Sequence, residues 1–194
     1  MNDNEPDLVR FTALTDGILA VIITIMVLAL RPPTQYDLRA LLDLWPDATA
    51  YAVSYLFIAV VWLNHHYVFR YGRKLTTVLA WSNFANLFAI SLIPFTTAWL
   101  ASSRVAALPQ TVYAAVFLLV ELTYIVLMHE TFRQSTTTPE QQRSQRIHFL
   151  RAWIMVAVFA FAACAVFVPA GVRLALTATF LLVHVRPNLW RTSL

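Results

Sequence analysis

The sequence predicts an all-α integral membrane protein with six membrane-spanning helices, and three observations carry that expectation. Hydrophobic residues make up 59% of the 194-residue chain and charged residues only 12%, against roughly 45–50% and about 25% in soluble domains. The mean hydropathy is +0.64, too apolar for a soluble fold of this length to clothe its surface in polar groups. Six segments supply the runs of about 20 mostly apolar residues that cross a bilayer as helices. The same figures argue against intrinsic disorder, a disulfide scaffold and an ordinary soluble enzyme. Cys164 has no second cysteine to pair with and is silent on redox compartment.

The first span runs from about Val9 to Leu30 and stops at Arg31-Pro32-Pro33, since proline cannot continue a helix. The stretch before it, Met1 to Asp7, is acidic, unlike the basic start of a signal peptide, so the first span is expected to be retained. The second span covers about Ala48 to Phe69. The third covers about Thr77 to Ala101, with Pro94 expected to kink it and free a carbonyl. The fourth covers about Pro109 to Met128. The polar stretch His129 to His148 reads as a loop with a short helical continuation. The fifth span, about Phe149 to Val168, and the sixth, about Gly171 to Val185, are separated only by Pro169-Ala170. Residues 1–194 therefore read as one six-helix transmembrane unit.

Charge placement sets the expected orientation. Arg10, Arg70, Arg73, Lys74, Arg133, Arg143, Arg146, Arg151, Arg186 and Arg191 fall at one set of span ends, and Arg31, Arg39, Arg104 and Arg173 at the other. The bias places both termini in the cytoplasm of a multi-pass cell-membrane protein. Anionic lipid accounts for the pI near 9.6 without nucleic acid. Trp45, Trp81, Trp99, Trp153 and Trp190 fall near span ends as an aromatic belt requires, whereas Trp62 lies well inside the second span.

The unusual residues cluster on the first span, where polar groups are costly and mark function. At about 100° per residue, Gly17, Ala20, Val21, Thr24 and Leu28 share one face, with Arg10 and Arg31 toward its ends and Thr15 and Asp16 pointing elsewhere. Two readings fit this stripe: a small-residue packing face built on Ala13 and Gly17, or the wall of a path through the membrane. On the second span, Trp62, Asn64, His65 and His66 lie at the depth of Asp16 and Thr15 and are expected to hydrogen-bond them. Asn83 and Asn86 of the third span sit at a similar depth. Adjacent histidines diverge by about 100° on a helix and lack further ligands nearby, so no metal or cofactor is expected. Glu121 is the only acid deep in the fourth span, read either as a proton carrier or as a buried acid that is neutral or paired with Tyr124.

Arg10, Leu14-Thr15-Asp16-Gly17, Ala20, Thr24 and Leu28 resemble the first-helix signature of the endosomal/lysosomal potassium channel family (transmembrane protein 175), in its single-repeat prokaryotic form. Leu14 stands where the family has Phe and Thr15 where it has Ser. Trp62 with Asn64-His65-His66, and Ser91 to Phe95, resemble the second- and third-helix patterns. The resemblance implies six helices per subunit and a homotetramer whose central pore is lined by the first helix and conducts K+ without a carbonyl filter. It carries constriction roles to Val21, Ile25 and Leu28, a selectivity role to Thr24, and small pore-lining positions to Gly17 and Ala20. Arg10, Leu14, Thr15, Asp16, Trp62, Asn64, His65, His66 and Asn83 become a supporting network. Two competing readings are a proton-coupled small transporter using Asp16, Glu121 and His65/His66, and a membrane enzyme, for which no activated nucleophile is in view.

Overall fold

The computed structural model describes residues 5–103, 105–135, 138–165, 167–169, 172–173 and 175–179, all helical or in connecting turns. The helices are α1 (Glu5–Ile25), α2 (Leu38–Leu42), α3 (Trp45–Phe69), α4 (Thr77–Ser91), α5 (Ile93–Ser102), α6 (Ala107–Arg133) and α7 (Pro139–Cys164). A single 3-10 turn, Met26–Ala29, ends α1. Five helical stretches among the described residues are long and apolar enough to cross a membrane. The sixth expected span, 171–185, lies largely outside the described residues; positions 172–173 and 175–179 within it are helical.

Local chemistry fixes the boundaries. Asp37 starts α2 by accepting the Ala40 N–H at 2.7 Å, and Thr76 starts α4 by accepting the Leu79 N–H at 3.1 Å. Thr138 and Gln141 form a reciprocal capping box at the head of α7, with Pro139 in its first turn. This box corrects the expected loop over His129 to His148: α6 continues to Arg133 and α7 begins at Pro139, so most of that stretch is helix. Its Gln, Arg and Glu residues are good helix formers despite their polarity. Trp153 consequently lies midway along α7 rather than near its start. The interruption at Leu92 divides α4 from α5 just before Pro94, where the kink is expected. The short α2, preceding an α3 that starts at Trp45, is an addition to the expected layout.

α6 is the central helix, packed against α7, α4 and α5 and more lightly against α3, while α1 lies against α3 and α4. Phe57 stacks on Phe117 at 4.0 Å, and Phe159 meets both rings edge-on at 5.6 and 5.4 Å, joining α3, α6 and α7. Leu19, Ile22 and Met26 of the first span enter the same core. A second apolar cluster, with Phe11, Val68, Leu79, Leu127 and Ala152, fills the end of the bundle where α3 and α6 finish.

Two buried polar features hold the opposite half. Ser54 Oγ lies 2.7 Å from Thr97 Oγ1 and 2.8 Å from the Tyr113 hydroxyl. Thr97 spends its proton on the Ile93 carbonyl, so Ser54 donates to Thr97 and Tyr113 donates to Ser54. Arg173, counted above with the charges flanking the spans, is instead fully buried. Its guanidinium donates to Thr111 Oγ1 and to the carbonyls of Ala162 and Ala107, fastening the helical positions 172–173 to α6 and α7.

Candidate functional site on the first helix

α1 has two unlike faces. Phe11, Thr15, Leu19 and Ile22 are buried on the side facing α3 and α4, and Met26 in the 3-10 turn faces α3 and α5, with Leu19 at 1% and Met26 at 0% exposure. Gly17, Ala20, Val21, Thr24, Ile25 and Leu28 are exposed, Val21 by 58% and Leu28 by 78%. The stripe drawn from the sequence is therefore the face that the single chain leaves open. A Cβ built on Gly17 would meet nothing within 4 Å, so Gly17 does not serve close helix packing within the chain.

Thr24 is the only hydroxyl on this face. Its Oγ1–H is directed at the carbonyls of Ala20, 2.9 Å away, and Val21, 2.8 Å away. With the proton committed to its own helix, the hydroxyl oxygen keeps lone pairs for an outside donor or cation. Beyond Ile25 the helix tightens to a 3-10 turn, which advances about 120° per residue instead of about 100°. Summed from Thr24, the tighter turn carries Val27 to within about 20° of the threonine and swings Leu28 to about 100° from it. Val27 is half-exposed, and the stripe drawn on an ideal α-helix running to Leu30 leaves it out.

The supporting network forms, with partners redistributed. Trp62 Nε1 donates to Asp16 Oδ1 at 3.0 Å, tying α3 to α1. Asn83 Nδ2 donates to Thr15 Oγ1 at 2.8 Å, tying α4 to α1, and Thr15 donates in turn to the Phe11 carbonyl. The histidines are not the direct partners expected: His65 is buried and pairs its Nδ1 with the Val61 carbonyl at 3.0 Å, while His66 is exposed and stacks on Trp62. Of the four expected partners on α3, Trp62 is the one whose side chain bonds Asp16. Asn64 contributes its backbone carbonyl, 3.4 Å from the Tyr124 hydroxyl that donates to it. Glu121 is therefore not paired with Tyr124. Asn86 turns to α6, where its amide donates to the Val120 carbonyl and Thr123 Oγ1, both at 2.8 Å.

Arg10 and Leu14 are exposed on α1. Phe11, between them in the buried row, meets Phe69 and Phe84 edge-on at 6.3 and 5.8 Å. The aromatic contact that joins this end of α1 to α3 and α4 is thus made by Phe11 and not from position 14. Among the described residues no group of three or more His, Cys, Asp or Glu side chains converges as a metal site.

The model of the endosomal/lysosomal potassium channel TMEM175 family matches residues 10–94. A protein named as a potassium channel in Chryseobacterium sp. (strain P1-3) is 34% identical over 124 residues, 64% of this chain and 65% of that one. Another so named, from Chamaesiphon minutus, is 33% identical over 127 residues, 59% of this chain and 61% of that one. The chain thus spans less than two thirds of the length of these sequence relatives. The crystal structure of a lysosomal potassium-selective channel TMEM175 homologue from Chamaesiphon minutus shares the fold with a TM-score of 0.76 at 25% identity, over 93% of this chain and 99% of that chain. The chain is thus similar to the TMEM175 family, by the family model from the Arg10 motif to Pro94 and by the homologue's fold along nearly its whole length.

Proposed function

We propose that the protein is a potassium-preferring cation channel, a homotetramer in the cell membrane whose central pore is lined by the open face of α1. It conducts passively rather than turning over a substrate, and both termini lie in the cytoplasm. The observation that carries this reading is the division of α1 into a buried row and an exposed row that holds Thr24 with its lone pairs free. Four copies of that face would set Val21 below and Ile25, Val27 and Leu28 above a ring of four hydroxyls. Such apolar rings gate by dewetting, and the hydroxyl ring contacts a partly dehydrated cation. The bacterial relatives named as potassium channels, and the structural homologue described as potassium-selective, support the same ion.

The test is ion flux from the purified protein in potassium-loaded vesicles, with its mass measured in detergent. A confirmed tetramer that passes no more K+ than empty vesicles would end this reading. Thr24→Ala is expected to lower the preference for K+ over Na+, and an unchanged preference would remove Thr24 from selectivity. Saturable uptake driven by a pH gradient would favour the transporter alternative, although Asp16 and Glu121 occupy separate places in the fold, Asp16 between α1 and α3 and Glu121 on α6.

A further inference from the structure

α3 and α7 lie on either side of α6 and meet across it through aromatic rings. Phe57 and Phe159 form one bridge. Tyr67 and His148, stacked at 3.8 Å, form another, fastened by a 2.8 Å bond between the Tyr67 and Ser144 hydroxyls. Between the bridges is a chamber of about 50 Å³ whose polar lining is Asn64, Glu121, Tyr124, His148 and Arg151. That volume holds a few waters. Asn64, His148 and Arg151 are its partly exposed polar members, while Glu121 is buried at 4% exposure.

Glu121 has no hydrogen bond or ion pair among the described residues. Two neighbours are committed elsewhere, Tyr124 to the Asn64 carbonyl and Asn86 to Val120 and Thr123. A lone carboxylate is costly at such a place, so ionisation of Glu121 depends on what enters the chamber. One carboxylate with an amide and a phenol falls short of a metal-cation cage. A proton carried by water fits both the volume and the donor set. Other ionisable groups near this cavity are Tyr124 on α6, His65 and Tyr67 on α3, and His148 and Arg151 on α7; α4 and α5 carry none. No α1 residue lines the chamber.

We propose that Glu121 is a proton-binding site, served by water in the α3–α6–α7 chamber and separate from the α1 face. Proton transfer from a chamber hydronium converts the carboxylate to the acid and leaves water behind, with no further reactant. The test is infrared difference spectroscopy of the full chain in lipid across a pH series. A carboxylic-acid carbonyl band that rises and falls with pH in the wild type should be lost in Glu121→Gln. Superimposable wild-type and E121Q spectra would overturn the assignment, and so would a band that follows K+ at fixed pH but ignores pH. If E121Q does not fold, Ala152→Leu narrows the chamber with the acid intact. The band should then persist while its shift on transfer to D2O slows; an unchanged rate would rule out the chamber as the proton's route. The readout needs no ion flux, so a protein that fails to conduct would sink the channel reading and leave this site standing.

Discussion

Replacing Trp62 with Phe removes one N–H from the contact with Asp16 and keeps an aromatic ring in place. Interhelical hydrogen bonds within bilayers average about 0.6 kcal/mol and reach about 1.7 kcal/mol. A charged acceptor makes a bond roughly twice as strong as a neutral one. The opposing consideration is exposure: Trp62 is 41% exposed and Asp16 only half-buried, so solvent screening removes part of that gain. The balance is a coupling of about 1 kcal/mol, on the order of fivefold in the equilibrium between α1 docked and undocked. Packing changes from the smaller ring are cancelled by a double-mutant cycle with Asp16→Ala. The four proteins would be unfolded reversibly in mixed micelles, with oligomeric mass followed in parallel. A coupling below about 0.3 kcal/mol, the scatter expected of independent sites, would refute the claim that this bond anchors α1.

The Ser54–Thr97–Tyr113 chain has a direction, and the direction ranks its variants. Tyr113→Phe removes a terminal donor and should cost about 0.5–1.5 kcal/mol, whereas Ser54→Ala strands the Tyr113 hydroxyl and should cost about 1–3 kcal/mol in the same unfolding assay; the reverse order would overturn the donor assignment. Cysteines placed one at a time at Val27 and Leu28 in a Cys164→Ser background test the 3-10 turn: on the proposed channel reading a water-soluble thiol reagent should reduce K+ flux more through Val27→Cys than through Leu28→Cys, and the opposite ranking would restore an ideal α-helix on the open face.

Composition and periodicity reached the class, five of the spans and the open face of α1, because each depends on the apolar pattern of a helix against lipid or core. The 3-10 turn was hidden because Met26 to Ala29 is uniformly apolar and its residues carry no sign of a change in pitch. Polar pairing was harder still. Thr15, Asp16, Trp62, His65 and Asn83 are legible as a set at one depth, but which donor meets which acceptor depends on helix rotation, and that emerges only from packing. Position 14 shows the same limit, since the aromatic contact there is supplied by Phe11, one helical turn away from where the family places its ring. Glu121 stood out in the sequence as a deep acid, yet its chamber exists only because α3 and α7 flank α6 without closing on it.

The energies assign the α1 network a role other than bulk stability. Burying Leu19, Ile22 and Met26 outweighs a polar bond of about 1 kcal/mol, because each large side chain contributes about 1.5–3 kcal/mol. An apolar row nevertheless tolerates small rotations of a helix, since burial is non-directional. Thr15 and Asp16 are adjacent in sequence and diverge by about 100°; one is bonded to α4 and the other to α3. Two bonds on neighbouring residues to two different helices fix rotation as neither would alone. A turn of α1 by one residue would break both and carry Thr24 off the open face, putting the aliphatic side chain of Ile23 or Ile25 in its place. The motif thus specifies which side chains the open face presents, and the apolar row supplies most of the energy that keeps the helix there.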